Sequence, residues 1–246
     1  MAARLLSLVA LIALWGAAAH FSDPRHLPGP AAVFAAMQRA AASGELFTAM
    51  AVTMARVAAA FALAMALGSA LGYLMGRRAL VDRLADPWIV VLLNLPALVI
   101  IVLLYIWVGL NEAAAIAAVA LNKLPNATVT IREGVRTLDA GLDEMARAFA
   151  FSPLKRLRHV VLPQLAPYFA AATRSGLSLV WKIVLVVELL GRPNGVGFEI
   201  NMAFQLFDVA LLLAYALPFT AAMLMIEAFV VQPFERHVSR WRPRPA

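Results

Sequence analysis

Long apolar runs separated by short polar islands set the pattern of this chain. Runs able to cross roughly 30 Å of hydrocarbon at about 1.5 Å per residue lie near Val57 to Met75, Trp88 to Val108, Ala113 to Ile131, Tyr168 to Leu190 and Val209 to Val231. None has the ten-residue alternation of a membrane barrel, so the predicted fold class is an all-α integral membrane protein. A further run, Leu5 to Ala19, is only about 15 residues long and follows Arg4. It fits either a short spanning helix or a signal-peptide core ending in Ala17 to Ala19. Read as a helix that is retained, it makes six. The expected layout is then an N-terminal transmembrane helix over 1–20, an external or interfacial segment over 21–56, a membrane core over 57–231 and a basic tail over 232–246. Within 21–56, DPRHLPGP predicts a turn, and the Ala/Phe/Met-rich sequence after it a short interfacial helix broken near Gly44.

Composition agrees: 63% of the 246 residues are hydrophobic and 14% charged, against roughly 25% charged in an average soluble domain. The net charge of +7 points to nucleic acid only until its distribution is read. With the N-terminus inside, Arg4, Arg77, Arg78, Arg83, the Lys and Arg residues from Arg132 to Arg158, and Arg236 to Arg244 all fall on the inner side. Only Arg25, Arg39 and Arg192 fall outside. That asymmetry predicts a multi-pass membrane protein with both termini cytoplasmic. The basic charge is matched by anionic inner-leaflet lipid, and nucleic acid loses its support as a partner. The absence of cysteine excludes disulfides and thiolate metal sites.

Three features inside the spans bear on mechanism. Ala60, Ala64, Gly68, Gly72 and Gly76 recur every four residues, a stripe of small residues on one helix face that predicts close packing of another backbone. NLPALV places Asn94 beside Pro96 in the third span, and LNKLPNA places Asn122, Lys123 and Asn126 around Pro125 in the fourth. Prolines free backbone carbonyls and asparagines in hydrocarbon want partners, so these positions are candidates for a pathway lining. Lys123 and Lys182 would suit an anionic solute, with Glu188 as a further pathway candidate. The bland alternative is that Lys182 snorkels or pairs with an acid such as Glu188.

The most polar stretch, DEMARAFAFSPLKRLRHVVLPQLAPYF, lies in the inner connection 132–167. Leu142 to Phe149 reads as a short helix with Asp143 and Glu144 in its first turn and Arg147 beyond. Ser152 is a suitable N-cap and Pro153 suits the first helical position. Leu154, Leu157 and Val161 then mark one face, and Lys155, Arg156, Arg158 and His159 the other. Leu162–Pro163 and Pro167 are expected to close this helix before the fifth span. Such a knuckle is more than a connector needs, and it has the character of a docking surface.

EMARAFAFSPLKRLRHVVLP resembles the coupling loop of ABC importer permeases, whose signature is E-A-A, a glycine four residues after the second alanine, and a later hydrophobic-x-L-P. Glu144, Ala146, Val160, Leu162 and Pro163 match; Met145 replaces the first alanine and Ala150 the glycine. If that turn needs positive φ, alanine costs about 1 kcal/mol, so a less sharply left-handed turn is expected here. WKIVLVVELLGRPNGVGF is similar to the W-x-x-x-x-V-x-E-x-L segment and Gly-x-Gly loop of the nitrate, sulfonate and taurine class, through Trp181, Glu188, Gly195 and Gly197. SGEL, Arg56, DPW, Leu95–Pro96 and GLNEAA fall where that class has similar residues, and the likeness covers roughly residues 24 to 233.

The resemblance implies a type I importer: two permease subunits, expected to be identical, two cytoplasmic ATPases and an external solute-binding protein. Glu144, Ala146, Arg147, Ala150, Ser152, Pro153, Leu162 and Pro163 would then couple to the ATPase. The chain has no G-x-x-x-x-G-K-[ST] loop, so no cofactor is expected on it, and ATP and Mg belong to the partner. A secondary transporter or channel would also want polar groups at broken helices, but it leaves the knuckle unexplained. An intramembrane enzyme is disfavoured: neither G-x-S-x-G nor H-E-x-x-H occurs, and His20, His26, His159 and His237 fall at or beyond the membrane edges.

Overall fold

The computed structural model describes residues 2–239, and these form helices and no strand. In chain order they are α1 (Ala2–His20), α2 (Pro30–Ala42), α3 (Glu45–Arg77), α4 (Ala79–Asn94), α5 (Ala97–Val108), α6 (Glu112–Arg136), α7 (Ala140–Ala148) and α8 (Pro153–Arg156). A π-turn (Leu157–Val161) leads into α9 (Leu162–Gly191). Then come α10 (Val196–Gln205), α11 (Val209–Ile226), a second π-turn (Glu227–Val231) and α12 (Gln232–Ser239). The side chains of Arg4, His237, Arg240, Arg242 and Arg244, used above in the charge and histidine readings, lie outside the described residues.

Among the described residues, four continuous helices are long and apolar enough to cross a membrane: Glu45–Arg77, Glu112–Arg136, Pro153–Gly191 and Val209–Arg236. The pair α4 and α5 forms a fifth, broken span, and α1 contributes the shorter apolar helix Val9–His20. The structure differs from the sequence reading in three places. The helix that carries the second run begins at Glu45, ahead of Val57, because nothing after the positive-φ Gly44 interrupts helical propagation. The third is bent by 102° between α4 and α5. Pro96 has no N–H to continue the ladder and holds Leu95 extended, at φ −73° and ψ 126°.

The third correction concerns Leu162–Pro163 and Pro167, which do not end a helix: α8, the π-turn and α9 run on as one 39-residue rod. A proline ring normally collides with the carbonyl four residues back. The π-turn widens the helix just there, with Leu162 N–H donating to the Leu157 carbonyl. The second π-turn solves the same problem before Pro233, with Gln232 N–H donating to Glu227.

The chain divides into two compact units, Met1–Arg56 with Val184–Met223, and Val57–Ile183 with Leu224–Ala246. In the second, Ile131, Val135, Val161 and Leu165 form a buried cluster against Tyr73, Leu138, Tyr168 and Phe169. This seats the π-turn on the end of α6. The stripe of small residues packs as its spacing predicts: Ala60 and Ala64 are fully buried. A Cβ on Gly68 would stand 2.8 Å from the Leu124 carbonyl, on Gly72 2.4 Å from that of Thr128, and on Gly76 2.6 Å from Val135. Because the obstacle at Gly72 is backbone, Gly72→Val should force α3 and α6 apart. We expect a loss of about 1–3 kcal/mol or more, read as a lower unfolding temperature in detergent.

Candidate functional site

The knuckle is built from local signals that reinforce one another. Asp139 caps α7, its Oδ1 accepting from Gly141 N–H at 2.7 Å and Leu142 N–H at 3.3 Å. The helix therefore starts at Ala140, two residues before the sequence reading placed it. At its other end, Phe151 N–H donates to the Ala146 carbonyl and Ala150 N–H to that of Arg147, each at 2.9 Å. This is the two-bond Schellman closure, and it puts Ala150 at φ 49°. The turn is left-handed after all, although no glycine occupies it. Ala150→Gly is thus expected to stabilise the chain by about 1 kcal/mol without loss of transport, measurable as a raised unfolding temperature.

Ser152 then caps the next helix, accepting from Lys155 N–H at 3.3 Å, and Pro153 occupies its first turn. Asp143 fixes the angle between the two arms: its carboxylate receives Arg156 Nε and a terminal Arg156 nitrogen, both at 2.6 Å, and Arg147 at 3.2 Å. Partial burial works against the charge on Asp143, but the hydrogen bond and charge of Arg156, with Arg77 and Arg147, outweigh it. They hold the carboxyl below the usual carboxylate range. The clamp's contribution is present at neutral pH and is lost only as acid protonates Asp143 below that range.

What the knuckle leaves outside is as telling. Ala146 is 1% exposed and Val160 5%, so those signature positions are packing positions. Glu144 is exposed and carries no ion pair among the described residues. Met145, Phe149, Leu154, Leu157 and Leu162 of the same knuckle present apolar surface. Arg147, Ser152 and Pro153 are exposed as well. Sequence reading missed the Asp143–Arg156 clamp and the Asp139 cap. An Asp ahead of a short amphipathic helix was the available signal for the cap; nothing local marks a pair thirteen residues apart.

The pathway candidates separate into three groups. Asn94 is exposed and spends its amide on the Val90 carbonyl at 2.8 Å. Asn122 is half-buried and Asn126 exposed. Lys182 is exposed, its ammonium 5.6 Å from the centre of the Trp181 ring, while Lys123 is buried.

Glu188 lies elsewhere in the logic of the fold, in the first compact unit. It is 0% exposed and receives Arg56 at 2.7 Å, the Thr53 hydroxyl at 2.9 Å and Gly197 N–H at 2.8 Å. Arg56 in turn donates to the Asn194 carbonyl at 2.8 Å and to its side-chain oxygen, and Val196 N–H donates to the Thr53 hydroxyl at 2.8 Å. Glu188 thus binds the N-terminal turn of α10, where backbone N–H groups and the helix dipole favour an anion. Gly195 sits at φ 105°, and a Cβ there would lie 2.5 Å from the carboxylate; one on Gly197 would lie 2.3 Å from the Leu185 carbonyl. The Gly-x-Gly spacing is the room this carboxylate needs. Glu188, a pathway candidate in the sequence, is buried among these partners, and it pairs with Arg56 and not Lys182.

Comparison with known proteins agrees with this anatomy. Residues 64–240 match the model of the binding-protein-dependent transport system inner membrane component family. The putative aliphatic sulfonates transport permease protein SsuC of Escherichia coli (strain K12) is 32% identical over 96% of this chain and 90% of its own length. The taurine transport system permease protein TauC of the same organism is 24% identical over 96% and 88%. Among solved structures, the MetNI methionine ABC transporter in an inward-facing conformation shares the fold, with a TM-score of 0.64 at 17% identity over 76% of this chain and 92% of that one. A bundle of spanning helices, a coupling-loop signature folded as a two-armed knuckle, and a match over most of the length lead to one conclusion: the chain belongs to the family of binding-protein-dependent inner membrane transport components, as the permease subunit of an ABC importer.

Proposed function

We propose that this permease imports a small anion bearing a sulfonate-like head group, by alternating access driven by a separate ATPase dimer. The observation that carries the coupling half of this reading is the knuckle: a two-helix unit that exposes Glu144, without an ion pair among the described residues, together with several large apolar side chains. A charged group amid apolar surface is the anatomy of an interface centre and rim. In this reading the knuckle faces the cytoplasm, Glu144 meets a basic group of the ATPase, and ATP and Mg are bound there and not here. A second copy of this chain completes the pathway, a solute-binding protein delivers the solute outside, and anionic lipid faces the basic inner rim. The translocation step itself breaks no covalent bond in this subunit.

The solute class rests on the sulfonate and taurine permeases among the relatives and on the buried Lys123 within a span. The test of the assembly is affinity purification of the tagged chain from its native membranes. The reading expects stoichiometric recovery of a subunit carrying G-x-x-x-x-G-K-[ST] and vanadate-sensitive ATP hydrolysis. A chain that moves its solute when purified alone would make it a secondary transporter or channel.

A further inference from the structure

Lys123 is 1% exposed, on a helix that crosses the membrane, and no carboxylate pairs with it among the described residues. Its seat is specific. A Cβ on Gly176 of α9 would stand 2.1 Å from the Lys123 Cε and 2.6 Å from its Nζ. The end of the side chain therefore lies directly on the bare backbone of α9, in a notch only glycine leaves open. Pro125, two residues further along α6, interrupts the hydrogen-bond ladder beside this contact.

A cation buried without a counter-charge costs stability, and membrane interiors keep such groups where they meet one another, a cavity or a passing charge. The notch supplies space and no charge. Lys182 has a different setting: it is exposed, and the Trp181 ring already faces its ammonium.

We propose that Lys123, and not Lys182, is the anion-recognising group of the translocation pathway. In the conformation described here it is stowed in the Gly176 notch; when α6 and α9 part during the transport cycle, its ammonium meets the oxyanion head group of the solute. Gly176 is the positioning residue that lets the side chain retract. This rests on the reading of the chain as an importer of small anions and goes further, by assigning recognition to one residue and its storage to another.

The experiment uses the complete transporter in liposomes, with taurine, ethanesulfonate, nitrate and bicarbonate as probes. In Lys123→Met, uptake of whichever probe the wild type carries should fall roughly 10- to 100-fold, the worth of one charge-assisted hydrogen bond. Assembly with the ATPase and basal ATP hydrolysis should persist, and the unfolding temperature should hold or rise, because an unpaired buried charge has been removed. Lys182→Met should carry the probe like the wild type. Gly176→Ala displaces only the flexible end of a side chain, so the complex should assemble while the KM for uptake falls, because the stowed state is disfavoured. Wild-type uptake by Lys123→Met overturns the proposal, as does loss of uptake accompanied by loss of stability, which would mark Lys123 as structural. A wild-type transporter that carries a neutral or cationic solute and none of the probes overturns the anion reading itself.

Discussion

Glu144→Lys is expected to abolish uptake and ATPase binding while leaving the chain folded in the membrane. Glu144 is exposed and forms no ion pair within the described chain, so reversing its charge breaks nothing inside the knuckle. Its cost falls on the interface. A charge pair removed from water at the centre of a contact is worth about 2–5 kcal/mol when one side is lost, and reversal adds repulsion. An exposed pair at a rim would cost well under about 1 kcal/mol. Pull-down of the ATPase together with solute-stimulated ATP hydrolysis distinguishes these cases. Wild-type values of both would move the docking surface away from Glu144.

The largest loss of stability is expected from Glu188→Ala. That substitution removes the carboxylate that receives Arg56, Thr53 and the N-terminal turn of α10, leaving a guanidinium that is 4% exposed to find other partners. Breaking one side of a buried pair costs about 3–5 kcal/mol, largely because the remaining charge is stranded. The paired substitution Arg56→Met with Glu188→Met should recover much of this, since two apolar groups strand nothing. Thermal unfolding in detergent of the wild type, Arg56→Met, Glu188→Met and the paired variant measures the coupling directly. Additive losses would mean that the two residues act separately.

The spans were legible because lipid imposes a length and a composition that the chain cannot evade. The knuckle was legible because capping is local: Ser152, Pro153 and the charge order around Asp143 announce its two arms within a few residues. Breaks were harder to place. Pro96 stands at a 102° bend, whereas Pro163, just after a π-turn, does not interrupt its helix, and no residue type around them encodes the distinction. Ala150 shows the converse: its left-handed turn is required by the closure of α7 and the direction of α8, and the fold imposes that conformation on an alanine. The setting of Glu188 is hidden in the sequence, which shows a lone acid in an apolar run, while its partners Thr53 and Arg56 lie more than a hundred residues earlier. The Gly-x-Gly loop was noticed as a pattern, but only the approach of the carboxylate explains it.

The measurement that bears most directly on the central claim is uptake into liposomes containing the purified chain, its ATPase and ATP, with the solute-binding protein added outside. The account predicts uptake against a gradient that needs all three proteins and stops with Glu144→Lys. Concentrative uptake by the chain alone, driven by an ion gradient and indifferent to ATP, would contradict it.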